Sequence, residues 1–223
     1  MSQEWIFDDV GQEHSDIVGK KCANLGEMRR AGIRVPHGFA LSLRGYEKFM
    51  KETGAVEKIR GYLAALDADP DNPADISKFD RAAETIRGIV ESKGMPGDME
   101  AAIAQSYGEL CMKSHMENVP VAVRSAGRAS HPGQYETFLH VSGTSGLMEN
   151  IIKVWSSTFN SRSLIAHARS GLPLESDPIG VAVLQMVNAG AAGVMFTLNP
   201  VTGDTSKISI GSNWGLGEAV VSG

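Results

Sequence analysis

The chain has 223 residues, enough for one large domain or two small ones with an apolar core. Its 21 Lys and Arg against 26 Asp and Glu leave a formal charge of -5, which argues against a nucleic-acid binder, since such proteins need a basic surface. A local basic pocket remains compatible with that total. The two cysteines, Cys22 and Cys111, form neither a disulfide framework nor a CxxC zinc spacing. A start without an apolar secretory core, no apolar run of membrane-span length and this sparse cysteine use together point to the reducing cytoplasm, with no membrane partner.

Residues 4–8 read as a short strand and 21–31 as a short helix with Gly32 as its stop. Pro36-His37-Gly38 is a turn, and Phe39 to Leu43 reads as a buried strand. A helical stretch covers about 44–66, and the Asp- and Pro-rich residues 67–75 form a loop. Ile76, Phe79, Ala82, Ala83, Ile86, Ile89 and Val90 then recur at helical spacing. Gly94 to Gly97 breaks that helix, and Met99, Ile103, Tyr107 and Leu110 mark another.

At Val119 the character changes. Val119 to Val123 reads as a strand, 125–135 as a small-residue loop and 137–142 as a returning strand. Thr144 or Ser145 caps a helix carrying Leu147, Ile151, Val154 and Trp155, and a further helix covers about 161–170 before Gly171. Residues 179–187, 192–198 and 206–211 are strand-like. The expected fold class is α+β, a mainly antiparallel sheet covered by helices. A helical insertion is expected over about 44–113, with the sheet over about 119–223.

Four segments could carry chemistry. In Val18-Gly19-Lys20-Lys21-Cys22, two lysines open a helix, where unpaired N–H groups favour an anion. The spacing is not that of a P-loop, and taken singly the segment reads first as a surface helix with a basic start. In Val121 to Gln134, a β-run ends in Arg124, which can grip phosphate with two N–H groups, and a loop of small residues follows. Taken singly this is also an ordinary hairpin with an arginine at its base. Gly193 to Asp204 is an apolar strand entering a Pro/Gly turn, and Asn213 to Gly223 holds a glycine turn followed by Glu218, which reads first as a solvated or structural carboxylate. The six histidines form no HxxxH or HExxH pair, so no metal site is expected from them. His131 stands out only for its place in the small-residue loop.

In this order and spacing the four segments resemble the amino-terminal region of phosphoenolpyruvate synthase and pyruvate phosphate dikinase, a family that includes rifampicin phosphotransferase and phenylphosphate synthase. The residues carrying the likeness are Val18 to Met28, Ala31 to Phe39, Val121 to Ser125, Glu136 to Leu139, Gly193 to Asp204 and Gly215 to Gly223. They span almost the whole chain. The resemblance implies the first lobe of an ATP-grasp-like nucleotide site. It implies that Lys21 and Arg124, the residues assigned to catalysis, hold the phosphates of ATP, with Ser130, Pro132, Gly133 and Gln134 covering them. It implies that Val183, Gln185, Met186 and Val187 border the adenine. Lys20 replaces the second glycine of the family's V-G-G-K, and Arg128 adds a cation to the loop, which leaves the phosphoacceptor open.

The resemblance also implies partners: a second ATP-grasp lobe whose carboxylates hold Mg²⁺, a phosphohistidine domain and a barrel for phosphoenolpyruvate or pyruvate. None of these occurs before Gly223, so the chain alone is expected to be inactive as a phosphotransferase. A non-catalytic adenine-nucleotide sensor or assembly subunit is the competing reading.

Overall fold

The computed structural model describes residues 4–6, 9–128, 135–171 and 178–221, and these form two units, one up to Met186 and one from Val187 on. In the first unit a five-stranded sheet has the order β1-β2-β5-β3-β4, built from β1 (Glu4–Ile6), β2 (Gly38–Leu41), β3 (Val121–Ala126), β4 (Thr137–Val141) and β5 (Gly180–Gln185). Every neighbouring pair is antiparallel. The fold is therefore α+β, as the sequence predicts. The sheet is not confined to residues after 119, however. Two of its five strands precede the helical stretch, because β2 supplies one edge of β5 while β3 supplies the other.

One face of this sheet carries most of the core. Phe39, Leu41, Val121, Val123, Val181 and Val183 point into it and are at most 2% exposed. They meet α3 (Leu43–Glu52), α4 (Ala55–Ala64), α5 (Ile76–Glu91), α6 (Gly97–Ser114), α7 (Thr144–Ser156) and α8 (Ser161–Ser170). Trp155 is fully buried at the centre, with the Phe49 ring centroid 4.9 Å away and the Tyr46 ring edge-on at 6.1 Å. Aromatic pairs of this geometry add about 0.5–1.5 kcal/mol to the burial of their area.

Local chemistry sets the boundaries. The Ser42 hydroxyl accepts from the Gly45 N–H at 3.3 Å, so Ser42 caps α3 and the strand expected over 39–43 ends at Leu41. The single helix expected over 44–66 is two, α3 and α4, because Gly54 sits at φ +66° between them. The α5 periodicity is realised over most of its length: Phe79, Ala82, Ala83, Ile86 and Val90 are buried on one stripe and Ile89 is partly buried beside them, whereas Ile76 at the first turn is exposed.

The second face of the sheet is lined with small residues and covered by less. Ala40, Ala126 and Ala182 are buried there against Val18 of α1 (Ser15–Val18) and Cys22 of α2 (Lys20–Arg30). The α2 helix lies close because glycines permit it. Gly19 has φ +84°, and a Cβ there would stand 2.0 Å from the Ala126 carbonyl oxygen. A Cβ on Gly26 would stand 2.2 Å from the Val10 carbonyl oxygen. The helix is thus pinned to β3 at one end and to the segment before α1 at the other.

In the second unit β6 (Ala191–Phe196) and β7 (Ser209–Trp214) form a two-stranded antiparallel sheet, followed by α9 (Glu218–Val221). The strand expected over 206–211 starts later because Asp204 holds a turn: its carboxylate accepts from the Ser206 N–H at 2.9 Å and the Ser206 hydroxyl at 2.6 Å.

Candidate functional site

The site is assembled on the small-residue face of the first unit. Along β3 the side chains of Ala122, Arg124 and Ala126 share one face, and Val121, Val123 and Ser125 the other. Arg124 is exposed, whereas its strand neighbours Val123 and Ser125 are buried. It pairs across the ladder with Ala182 of β5. A larger residue at Ala182 would fill the space beside the guanidinium.

Lys21 reaches the same space from α2. It is the second residue of a helix whose start is tied to the strand, since the Lys20 N–H donates to the Gly127 carbonyl at 3.0 Å. Lys21, Asn24 and Leu25 of α2 with Arg124, Ala182 and Leu184 line one open cavity of about 220 Å³. Burial holds the Lys21 ammonium below the ordinary lysine range, and the positive charge of Arg124 pushes it the same way. Two cations held near one another without a carboxylate form a site that favours an anion. Lys20, by contrast, is exposed and does not line the cavity. Cys22, next along the helix, points into the small cluster behind it, and burial pushes its thiol up to about 12 against a smaller opposing effect of Lys21.

The segment expected to border the adenine divides by strand parity. Val183 is fully buried and faces the large core, so its side chain lies on the opposite face from Arg124, and Leu184 lines the cavity in its place. Gln185 and Met186 follow at the strand end, where their N–H groups donate to the His37 and Pro120 carbonyls, both at 2.8 Å. Val187 is exposed and opens the second unit. Ser130, Pro132, Gly133 and Gln134, with His131, lie outside the described residues. Beyond that stretch Glu136 is anchored to the helices: its carboxylate accepts from Arg87 of α5, and its N–H donates to the Ser157 hydroxyl at 3.2 Å.

Two cavity residues, Asn24 and Leu25, carry no signal that residue chemistry alone would single out. Helical spacing from Lys21 could have found Asn24, three residues on and on the same side of the helix. The cavity's polar groups are two cations and an amide, a donor set that does not fit a divalent metal. No helix among the described residues is long and apolar enough to cross a membrane.

The sheet face thus brings a lysine and an arginine, distant in sequence, to one open cavity. The model of the pyruvate phosphate dikinase AMP/ATP-binding domain family matches residues 15–223. The chain belongs to this family and is an adenine-nucleotide-binding domain. It is similar to the probable phosphoenolpyruvate synthase of Staphylothermus marinus, with 40% identity over 227 residues that cover 98% of this chain and 26% of the relative. It is similar also to the probable phosphoenolpyruvate synthase of Methanothermobacter thermautotrophicus, at 37% identity, covering 98% of this chain and 32% of that protein. The phosphoenolpyruvate synthase of Pyrococcus furiosus is 35% identical, with coverage of 97% and 31%. The chain thus spans between a quarter and a third of the length of these relatives.

Proposed function

We propose that the chain binds ATP with its phosphates between Lys21 and Arg124, as the ATP-grasp-like first lobe of a phosphoenolpyruvate synthase-like dikinase. The observation that carries this reading is the convergence of the two cations on one cavity from helix α2 and strand β3, elements separated in sequence by the whole helical stretch. Phosphoryl transfer depends mainly on charge stabilisation and positioning, and two fixed cations supply both to a triphosphate. Arg124 can engage two phosphate oxygens at once, while Lys21 acts as a point charge. The adenine then lies toward Leu184, Gln185 and Met186 along β5. Mg²⁺ enters this reading through carboxylates of a second lobe, for which the greater length of the relatives leaves room.

The test is ATP binding to the 223-residue chain by isothermal titration calorimetry. Arg124→Ala is expected to weaken binding by about 1.5–3 kcal/mol, the range for a hydrogen bond to a charged group. Raised salt should weaken it further in the parent chain than in the variant. Unchanged affinity in both Arg124→Ala and Lys21→Ala would remove the reading.

A further inference from the structure

Asn24 shares the cavity with Lys21 and Arg124, and its orientation is fixed by a residue from another segment. Gln12 sits in the single helical turn Gln12–His14 that precedes α1. Its side-chain Nε2 donates to Asn24 Oδ1 at 2.6 Å, and its main-chain N–H donates to Glu27 Oε1 at 3.0 Å. Glu27 in turn accepts from Arg30 at 3.2 Å, and Arg30 also pairs with Glu13 at 2.8 Å. The close approach of Gly26 to Val10 seats the same segment on α2. One ion pair, two hydrogen bonds and one backbone contact therefore hold the Gln12 segment against the helix that carries Asn24.

The consequence lies in the chemistry of the amide. A primary amide offers one acceptor oxygen and two N–H donors. Gln12 occupies the oxygen of Asn24. Among the described residues Nδ2 has no protein partner, and it belongs to a side chain lining the anion cavity. Beside two cations an anion needs further donors, since a triphosphate presents more oxygens than Lys21 and Arg124 can satisfy.

We propose that Asn24 is a third phosphate-binding residue of the site, donating through Nδ2, and that Gln12 is a positioning residue that keeps the acceptor oxygen turned away from the anion. This rests on the triphosphate lying between Lys21 and Arg124. Loss of Gln12 frees the amide to rotate and present its oxygen to the phosphate, so Gln12 acts only through Asn24.

The experiment measures the affinity of the full chain for ATP, AMP and inorganic triphosphate by calorimetry, with thermal melting to check the fold. Asn24→Ala is expected to lower affinity for ATP and triphosphate about tenfold, the lower end for a hydrogen bond to a charged group, and affinity for AMP less. Asn24→Asp keeps the shape of the side chain and is expected to lower both further, because a carboxylate repels the phosphate. It carries the test where the alanine variant does not fold. Gln12→Ala should weaken ATP by a smaller factor, and that factor should vanish in the Asn24→Ala background. Unchanged ATP affinity in the Asn24 variants, with binding lost in Lys21→Ala and Arg124→Ala, overturns the inference and leaves the two-cation reading standing. Equal losses for ATP and AMP with triphosphate unaffected also overturn it, since the amide then faces the nucleoside. A Gln12→Ala effect that persists in the Asn24→Ala background removes the positioning role. If neither Lys21→Ala nor Arg124→Ala changes binding, the two-cation reading fails and this inference with it.

Discussion

The N–H of Lys20 donates to the carbonyl of Gly127 at 3.0 Å, which ties the first turn of the helix bearing Lys21 to the end of the strand bearing Arg124. The spacing of the two cations is therefore set by the backbone, through one hydrogen bond and the contact between Gly19 and Ala126.

Gly19→Ala should break both. The added Cβ meets the Ala126 carbonyl oxygen and the φ of +84° is strained for any side chain. A destabilisation of about 2–4 kcal/mol is expected from the combined clash and strain, read as a lower urea midpoint. In the fraction that remains folded the helix start is displaced, so ATP affinity should fall as well.

Lys21→Met should separate stability from binding. In the free protein the Lys21 ammonium is half-buried beside Arg124, and both burial and the neighbouring charge hold its pKa down. Removing the charge should stabilise the free chain by a few tenths to about 1 kcal/mol, the scale for partly screened charges, while ATP binding is lost. With the folded pKa below the ordinary value of 10.5, the unfolded state holds more protons in the window between them, so this group's contribution to stability rises with pH there. A bound triphosphate raises the folded pKa again. Calorimetry of the parent chain within that window, in two buffers of different ionisation enthalpy, should show proton uptake on ATP binding that falls away at lower pH.

Cys22 runs in the opposite direction. Its thiol moves from an ordinary 9.0 to about 12 on burial. The folded thiol stays protonated longer than the unfolded one, so its contribution to stability is complete below 9.0 and lost as pH rises toward about 12. Alkylation of Cys22 by iodoacetamide at neutral pH should follow global unfolding, and labelling should track the denaturant transition; fast labelling of the native chain would contradict this packing.

Tyr107→Phe provides a variant remote from the cavity. The Tyr107 hydroxyl donates to the Val119 carbonyl at 2.8 Å and accepts from the Gly143 N–H at 2.9 Å. Its loss strands two main-chain groups and should cost about 1–3 kcal/mol. ATP affinity measured well below the melting temperature should stay at the parent value.

How far these features can be read in the sequence depends on how local their cause is. The stripe of α5 and the stop of α8 at Gly171 are legible because helical period and a left-handed glycine act within a few residues. The two faces of β5 are not. Gly180-Val181-Ala182-Val183-Leu184 is apolar throughout, as suits a central strand covered on both sides, so no alternation reveals that Val183 faces the core and Leu184 the cavity. In β3 the single charge, Arg124, marks the open face unaided. Lys21 and Arg124 are individually weak signals that gain meaning from the order of segments around them. The pairing of Gln12 with Asn24 is tertiary, and neither residue type announces it.

The parity of β5 also governs how this domain can change over generations. Val181 and Val183 sit among large side chains, where a substitution must conserve volume or open a void. Leu184, only partly buried, lines the cavity, where size and polarity can vary without disturbing that core, whereas Ala182 is held small by the cluster around Val18 and Cys22. Adjacent codons are thereby placed under different selection. A library randomised at Leu184 would explore ligand preference on a scaffold left intact, whereas one randomised along the whole strand would spend most of its members on proteins that do not fold.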